Sequence, residues 1–230
     1  MAYSNYINVE QDIENFCKEN NVSPYPTLIA VSKTVGVDAI LAAVRQGCVD
    51  FGENRPDELV HKAENVKDVN WHFIGNIQSR QLKKIVCNAD YIHSLFDISH
   101  ATKIDRLAGE FGKVQKVFIE VNVSGEESKS GVSPDDLNEF LDECKNFKNV
   151  QVVGLMTMAP KANLSTSAAG IGLPTPFETF TNLKNLGLGL GLSSFSMGMS
   201  DDYKEAILAG STYVRVGRAI FDENYYQKMG

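Results

Sequence analysis

Lys33 ends the apolar run Thr27-Leu-Ile-Ala-Val31 after a single serine, a position suited to covalent chemistry. An ammonium whose stem lies inside a pocket is costly to desolvate, so the neutral amine is favoured and can attack an aldehyde to form an imine. The competing reading is a strand-end lysine that reaches out to water. Ser196-Met-Gly-Met-Ser200, followed by Asp201-Asp202, is a glycine-containing turn entering a helix. Free amide N–H groups there bind anions, with Ser200 as a plain N-cap the alternative role. Arg215-Val-Gly-Arg218 repeats the pattern. Gly217 lets an anion approach the backbone, while Arg215 either faces a pocket or pairs with a core carboxylate. Glu53 and Asp201 are acids that proton transfer would need as a pair, yet no spacing brings them together. His72, His93 and His100 lack metal-ligand spacing and belong to no Ser/His/Asp set, so they are read as structural.

These residues need elements to position them. Residues 3–20 read as an opening helix carrying Ile7, Ile13 and Phe16. Strand-length apolar runs then recur at Thr27–Val31, Val49–Phe51, Trp71–Ile74, Tyr91–His93, Lys116–Asn122, Val152–Leu155, Ser193–Met197 and Tyr213–Val216, with Lys116–Asn122 the longest. Helical spacing fills the gaps: Val37, Ile40, Leu41 and Val44 before Gly47, then 56–65, 79–87, and 99–111 with Ile104, Leu107 and Phe111 on one face. Ser133, Pro134 and Asp136 form an N-cap, N1 proline and acidic N3 ahead of Leu137, Phe140, Leu141 and Cys144. The small residues of 160–175 suggest a mobile loop before a helix near 177–187. Strands alternating with helices imply parallel pairing, and eight such units favour a closed (β/α)8 TIM barrel with an extra N-terminal helix over an open sheet. In that fold functional groups collect at the C-terminal strand ends, where Lys33, Asn54, Asn76, Asn122, Thr157, Ser200 and Arg215 all fall.

Composition agrees. The 230 residues suit one domain over 1–230, near the size of about 250 common for such barrels. Hydrophobic residues at 43% can fill a core, and a net charge of -7 argues against nucleic acid or an anionic membrane as the main partner. Cys17, Cys48, Cys87 and Cys144 show no CxxC pair and read as reduced core thiols. Neither a basic-then-apolar leader nor an apolar run of about 20 residues is seen, so the cytoplasm is the expected compartment.

Taken in order, Ala30-Val-Ser-Lys33, Phe51-Gly-Glu-Asn54, Trp71-His-Phe-Ile-Gly75 with Gln78-Ser79, His93-Ser94, Val121-Asn122 through Glu126-Glu127, Lys129 and Gly131, Gly154-Leu-Met156, Ser196 to Asp201, and Val214 to Gly217 with Ile220-Phe221 make a specific set. The set resembles the YggS/PROSC family of pyridoxal-phosphate-binding proteins, whose barrel looks like the N-terminal domain of alanine racemase (fold type III). The resemblance implies that Lys33 is the Schiff-base lysine for pyridoxal 5′-phosphate. It also implies that Ser200, Gly217 and the amide of Arg218 hold the phosphate, that Arg215 faces the pyridine nitrogen, and that Asn54 lines the pocket. Met197 and Met156 either pack around the cofactor or belong to the core. The chain departs from the family pattern at Arg55-Pro-Asp57, at Arg80-Gln81, and at Arg218 where threonine is frequent. There the backbone N–H and the Arg218 charge stand in for a hydroxyl.

An arginine at the pyridine nitrogen disfavours its protonation and weakens the ring as an electron sink, though alanine racemase uses the same arrangement. Racemases of that type add a second β domain and a tyrosine from a partner chain, for which 222–230 leave no room. Racemisation needs acid or base groups on both faces of the substrate carbon, and only the lysine side is identifiable. The resemblance therefore points to a cofactor-homeostasis protein that sequesters or delivers its ligand rather than an enzyme. Its expected partners are pyridoxal phosphate and apo forms of enzymes that use it, the chain being a monomer or weak homodimer. A small amino-acid racemase or lyase with Lys33 as base is the alternative. A third reading is a barrel enzyme for a phosphorylated sugar.

Overall fold

Short apolar segments separated by helices leave parallel pairing as the way to satisfy their backbones, and here the pairing closes into a ring. A computed structural model describes residues 3–126, 129–160 and 173–225. The strands are β1 Thr27–Val31, β2 Asp50–Glu53, β3 Asn70–Phe73, β4 Tyr91–Leu95, β5 Gln115–Glu120, β6 Val150–Met156, β7 Phe195–Ser196 and β8 Tyr213–Val216. They follow one another around a closed barrel in chain order. β1 completes the ring against β8, Thr27 opposite Tyr213 through Ala30 opposite Val216. The helices are α1 Tyr6–Glu19, α2 Val37–Val44, α3 Pro56–Asn65, α4 Leu82–Asn88, α5 Ile98–Glu110, α6 Leu137–Cys144, α7 Pro176–Gly189, α8 Tyr203–Ala209 and α9 Arg218–Phe221.

Alternation along each strand sorts the side chains. Leu28, Ala30, Phe51, Phe73, Ile92, Val117, Val214 and Val216 face outward into the main apolar layer beneath the helices. Ile119, Leu155, Phe195 and Met197 join Phe180 and Leu183 of α7 and Ala206 of α8 in a second layer. The barrel interior is different. Rings of His72, Tyr91, His93, Phe118 and Tyr213 meet there, His93 stacking on Phe118 at 4.4 Å and Phe118 meeting Tyr213 edge-on at 5.3 Å. β4 and β8 lie on opposite sides of the ring, so only inward side chains can make these contacts. The interior is thus a packed core rather than a pore.

α1 buries Tyr6, Val9, Ile13 and Cys17. That stripe leaves Ile7 43% exposed. The helix is tied to the last barrel turn, the Asn5 amide donating to the Ile220 carbonyl at 2.9 Å. Tyr203 of α8 donates to Asp12 at 2.6 Å.

Several expectations are corrected. β6, not β5, is the longest strand, because its exposed Gln151 hides its start from a hydropathy pattern. β7 shrinks to Phe195–Ser196. Ser133 does accept the Asp136 amide at 3.1 Å, but this caps a turn and α6 begins at Leu137. Phe111 lies past the end of α5 and is 38% exposed. Cys87 is exposed, whereas Cys17, Cys48 and Cys144 are core thiols as read. Most of the 160–175 loop lies outside the described residues. Among the described residues, no helix is long and apolar enough to cross a membrane.

Close approach of backbones fixes Gly154 as a glycine. A Cβ on Gly154 of β6 would lie 2.0 Å from the Ser194 carbonyl oxygen, whereas one on Gly189 would meet nothing within 4 Å. Gly154→Ala should therefore cost at least about 2 kcal/mol in urea unfolding, and Gly189→Ala should be neutral or gain up to about 1 kcal/mol.

Candidate functional site

The loops after β1 and β2 are joined by a buried ion pair. Lys62 of α3 and Glu53, the last residue of β2, are 1% and 0% exposed and hydrogen-bond to each other. Glu53 also accepts the amides of Asn54 (2.7 Å) and Arg55 (3.1 Å), while Lys62 donates to the Ser32 carbonyl at 2.9 Å. The residue before Lys33 is thereby anchored, and the Ser32 amide continues the β1–β2 ladder to the Gly52 carbonyl at 2.8 Å. The third loop packs on the second, since a Cβ on Gly75 would fall 2.1 Å from the Asn54 carbonyl oxygen. Lys33 and Asn54 are exposed at this rim. The expectation of a desolvated Lys33 ammonium is not met: water reaches it, and its amine has no partner among the described residues.

Across the mouth, two more loops meet. Gly198 takes φ +93°, and a Cβ there would clash with Ala206 of α8 at 2.5 Å. This tight turn lets the Gly198 carbonyl accept the Arg215 amide at 2.9 Å. Two residues on, buried Ser200 accepts the Gly217 amide at its hydroxyl at 3.3 Å. A Cβ on Gly217 would lie 3.1 Å from the Val31 carbonyl oxygen, so this loop presses against the segment that leads to Lys33. The amides of Ser200 and Arg218 meet no described acceptor, and both belong to the same corner. The Arg218 side chain is exposed and paired with Asp201, so its charge is turned outward rather than into the corner. Glu53 and Asp201 consequently each have a cation of their own and do not form an acid pair.

Arg215 is 4% exposed and donates to the Ser196 hydroxyl at 2.6 Å and the Thr157 carbonyl at 3.1 Å. No carboxylate lies within ion-pair distance among the described residues, so the core salt bridge is not its explanation. Burial pushes its pKa down to about 10, against the pull of Asp202 and Glu120, and it stays charged at neutral pH. Glu120, at the end of β5, is 2% exposed, and one of its carboxyl oxygens has no hydrogen-bond partner among the described residues. Burial pushes its pKa up to about 7, Arg215 drawing it back. Met156 is paired in register with Glu120 and Ser196, which places it on the inner face. Met197 faces the other way, into the apolar layer under α7 and α8, so for this residue core packing is the correct reading.

Lys62 and Glu120 were not anticipated. Lys62 looks like one more polar residue of a polar helix, and only the fold brings it under Ser32. Glu120 carried a faint signal as a polar residue two places from Phe118 on an apolar strand.

A closed parallel barrel with an amine after β1 and a hydroxyl–amide corner between the loops after β7 and β8 defines a class, and residues 7–224 match the family model described as alanine racemase, N-terminal domain. A Synechocystis protein named pyridoxal phosphate homeostasis protein is 39% identical over 209 residues, covering 87% of this chain and 92% of that protein. The Homo sapiens protein of the same name is 33% identical over 220 residues, covering 88% and 78%. The structure of PipY from Synechococcus elongatus with PLP bound has a TM-score of 0.75 at 32% identity, covering 91% of this chain and 99% of PipY. The chain belongs to the pyridoxal phosphate homeostasis protein family. Alanine racemase from Clostridium difficile, at 14% identity and TM-score 0.69, shares the fold alone.

Two outcomes follow from the burial of charge. The Glu120 pKa is raised in the folded chain, so its contribution is fully present below the ordinary carboxylate range and is lost as pH rises through about 7. Glu120→Gln should unfold at roughly 1–3 kcal/mol higher free energy than the parent near pH 8, the difference vanishing by about pH 4.5. Lys62→Met should lose about 3–5 kcal/mol in denaturant unfolding, because it leaves the Glu53 carboxylate buried without its cation.

Proposed function

We propose that the chain holds pyridoxal 5′-phosphate at the barrel mouth through Lys33 and keeps it for sequestration or delivery to apo enzymes. The observation that carries this reading is the pairing of an unpartnered amine with an anion-binding corner, brought side by side by the contact of Gly217 with Val31. The donor set suits the ligand: a primary amine for an aldehyde, amides and a hydroxyl for a phosphate, and a buried guanidinium for a ring nitrogen. When bound, the cofactor supplies an aldehyde that condenses with an amine, releasing one water.

Lys33 provides that amine. Ser200, whose hydroxyl oxygen is held by the Gly217 amide, offers its hydroxyl proton to the phosphate, and Arg218 offers its amide, the Arg218 charge being spent on Asp201. Arg215 presents N–H donors that favour an unprotonated ring nitrogen. Asn54 lines the rim, and Met197 supports the β7–α8 loop from behind. Exposure of Lys33 lets water reach the linkage, so that holding is reversible. That openness, together with relatives named for homeostasis, supports a keeper over an enzyme. In this reading residues 1–230 act as one binding domain in the cytoplasm.

Purified chain mixed with pyridoxal phosphate should turn yellow, and borohydride reduction should place the adduct on Lys33 by peptide mass spectrometry. Lys33→Ala should give no adduct. Ser200→Ala should retain the adduct but hold the cofactor about tenfold or more weakly, as expected for one lost hydrogen bond to a charged group. An adduct on another lysine, or none, defeats the proposal. Steady turnover of L- or D-amino acids, abolished by Lys33→Ala, would replace it with the racemase or lyase alternative.

A further inference from the structure

Inside the barrel, below Arg215, polar groups line up through the aromatic packing. The Arg215 guanidinium lies 2.6 Å from the Ser196 hydroxyl, which lies 2.8 Å from His93 Nδ1. His93 Nε2 lies 2.9 Å from His72 Nδ1, and His72 Nε2 lies 3.0 Å from Asp50 Oδ1. Ser196, His93 and His72 are fully buried, and Asp50, at the opposite end of β2 from the mouth, is 16% exposed.

The proton positions follow by elimination. A guanidinium only donates, so the Ser196 oxygen accepts from Arg215. The serine proton then needs an acceptor, and His93 Nδ1 is the one in reach. His93 must therefore carry its proton on Nε2 and donate to His72 Nδ1. His72 in turn donates from Nε2 to the Asp50 carboxylate, which Asn70 holds from the side at 2.9 Å. A proton on His93 Nδ1 would set two donors against the serine oxygen and strand the hydroxyl proton. Every bond points the same way, from the guanidinium to the carboxylate. Rings brace the file, His72 stacking on Tyr91 at 4.6 Å and His93 on Phe118.

We propose that Asp50, His72, His93 and Ser196 form one directed file of hydrogen bonds that holds Arg215 as a fixed donor at the mouth, with His93 as its positioning residue. The Thr157 carbonyl clamps a second guanidinium nitrogen. The file is a property of the chain's own residues. Its consequence for a bound ring rests on the cofactor reading given above.

Two measurements test it. In the ¹⁵N-labelled, cofactor-free full chain at neutral pH, long-range ¹H–¹⁵N spectra should show His72 and His93 as neutral Nε2–H tautomers. Histidine variants assign the four rings of the chain. An Nδ1–H tautomer or an imidazolium at either position overturns the file, whether or not any cofactor binds. The second measurement uses chain loaded with pyridoxal phosphate. His93→Phe keeps the stack on Phe118 but removes both hydrogen bonds, whereas His93→Gln can still accept and donate. His93→Phe should shift the visible absorption of bound cofactor and speed its release into solution about tenfold, with His93→Gln close to the parent. A loaded, folded His93→Phe chain matching the parent in spectrum and release overturns the positioning role. A parent chain that takes up no cofactor defeats the cofactor reading instead, and the tautomers still decide the file.

Discussion

A guanidinium buried in a barrel mouth is the constraint around which the interior is arranged. Removing such a charge from water costs several kcal/mol unless hydrogen bonds and nearby charges offset it. Arg215 meets that demand without a direct ion pair among the described residues. The Ser196 hydroxyl and the Thr157 carbonyl accept its hydrogen bonds, and Glu120 and Asp202 supply negative potential from a distance. Ser196 can accept from Arg215 only because its own proton has somewhere to go, and this accounts for two histidines in the centre of an otherwise aromatic and aliphatic core. The same burial holds His93 well below the ordinary imidazole range, with His72 and Arg215 adding to the effect, so it accepts from serine rather than repelling the guanidinium.

The rim obeys the opposite rule. Lys33 is exposed and has no partner among the described residues, while the residue before it is fastened by the buried Glu53–Lys62 pair. A rigid backbone carrying a free, hydrated side chain suits reversible capture better than a sequestered reaction, which needs water excluded. The corner between the loops after β7 and β8 is likewise set by backbone: Gly198 takes a left-handed φ and a contact that a side chain would block, and Gly217 sits in tight contact with the Val31 carbonyl. Rigid inner groups and an open amine thus meet at one end of the barrel.

Much of this was legible from residue order. The eight strand segments, the helices between them and the clustering of Lys33, Asn54, Ser200, Arg215 and Gly217 at C-terminal strand ends all come from local patterns. The errors are local too. Phe111 was read as part of the buried face of its helix, yet α5 ends at Glu110 and Phe111 is 38% exposed. Met197 was weighed as a cofactor contact from its place in a loop motif, but strand alternation turns it away from Ser196 and into the layer under α7 and α8.

Periodicity and punctuation in the chain determined the kind of fold and the loops that carry its chemistry, because strand and helix patterns act over a few neighbouring residues. Tertiary structure decided which polar groups meet. A shift of one residue in strand register would exchange inner and outer faces, and only ring closure sets that register for all the strands together. For that reason no spacing in the chain could foretell that His72, His93, Ser196 and Arg215 touch in series, that Lys62 reaches beneath Ser32, or that Lys33 remains in water while Arg215 does not.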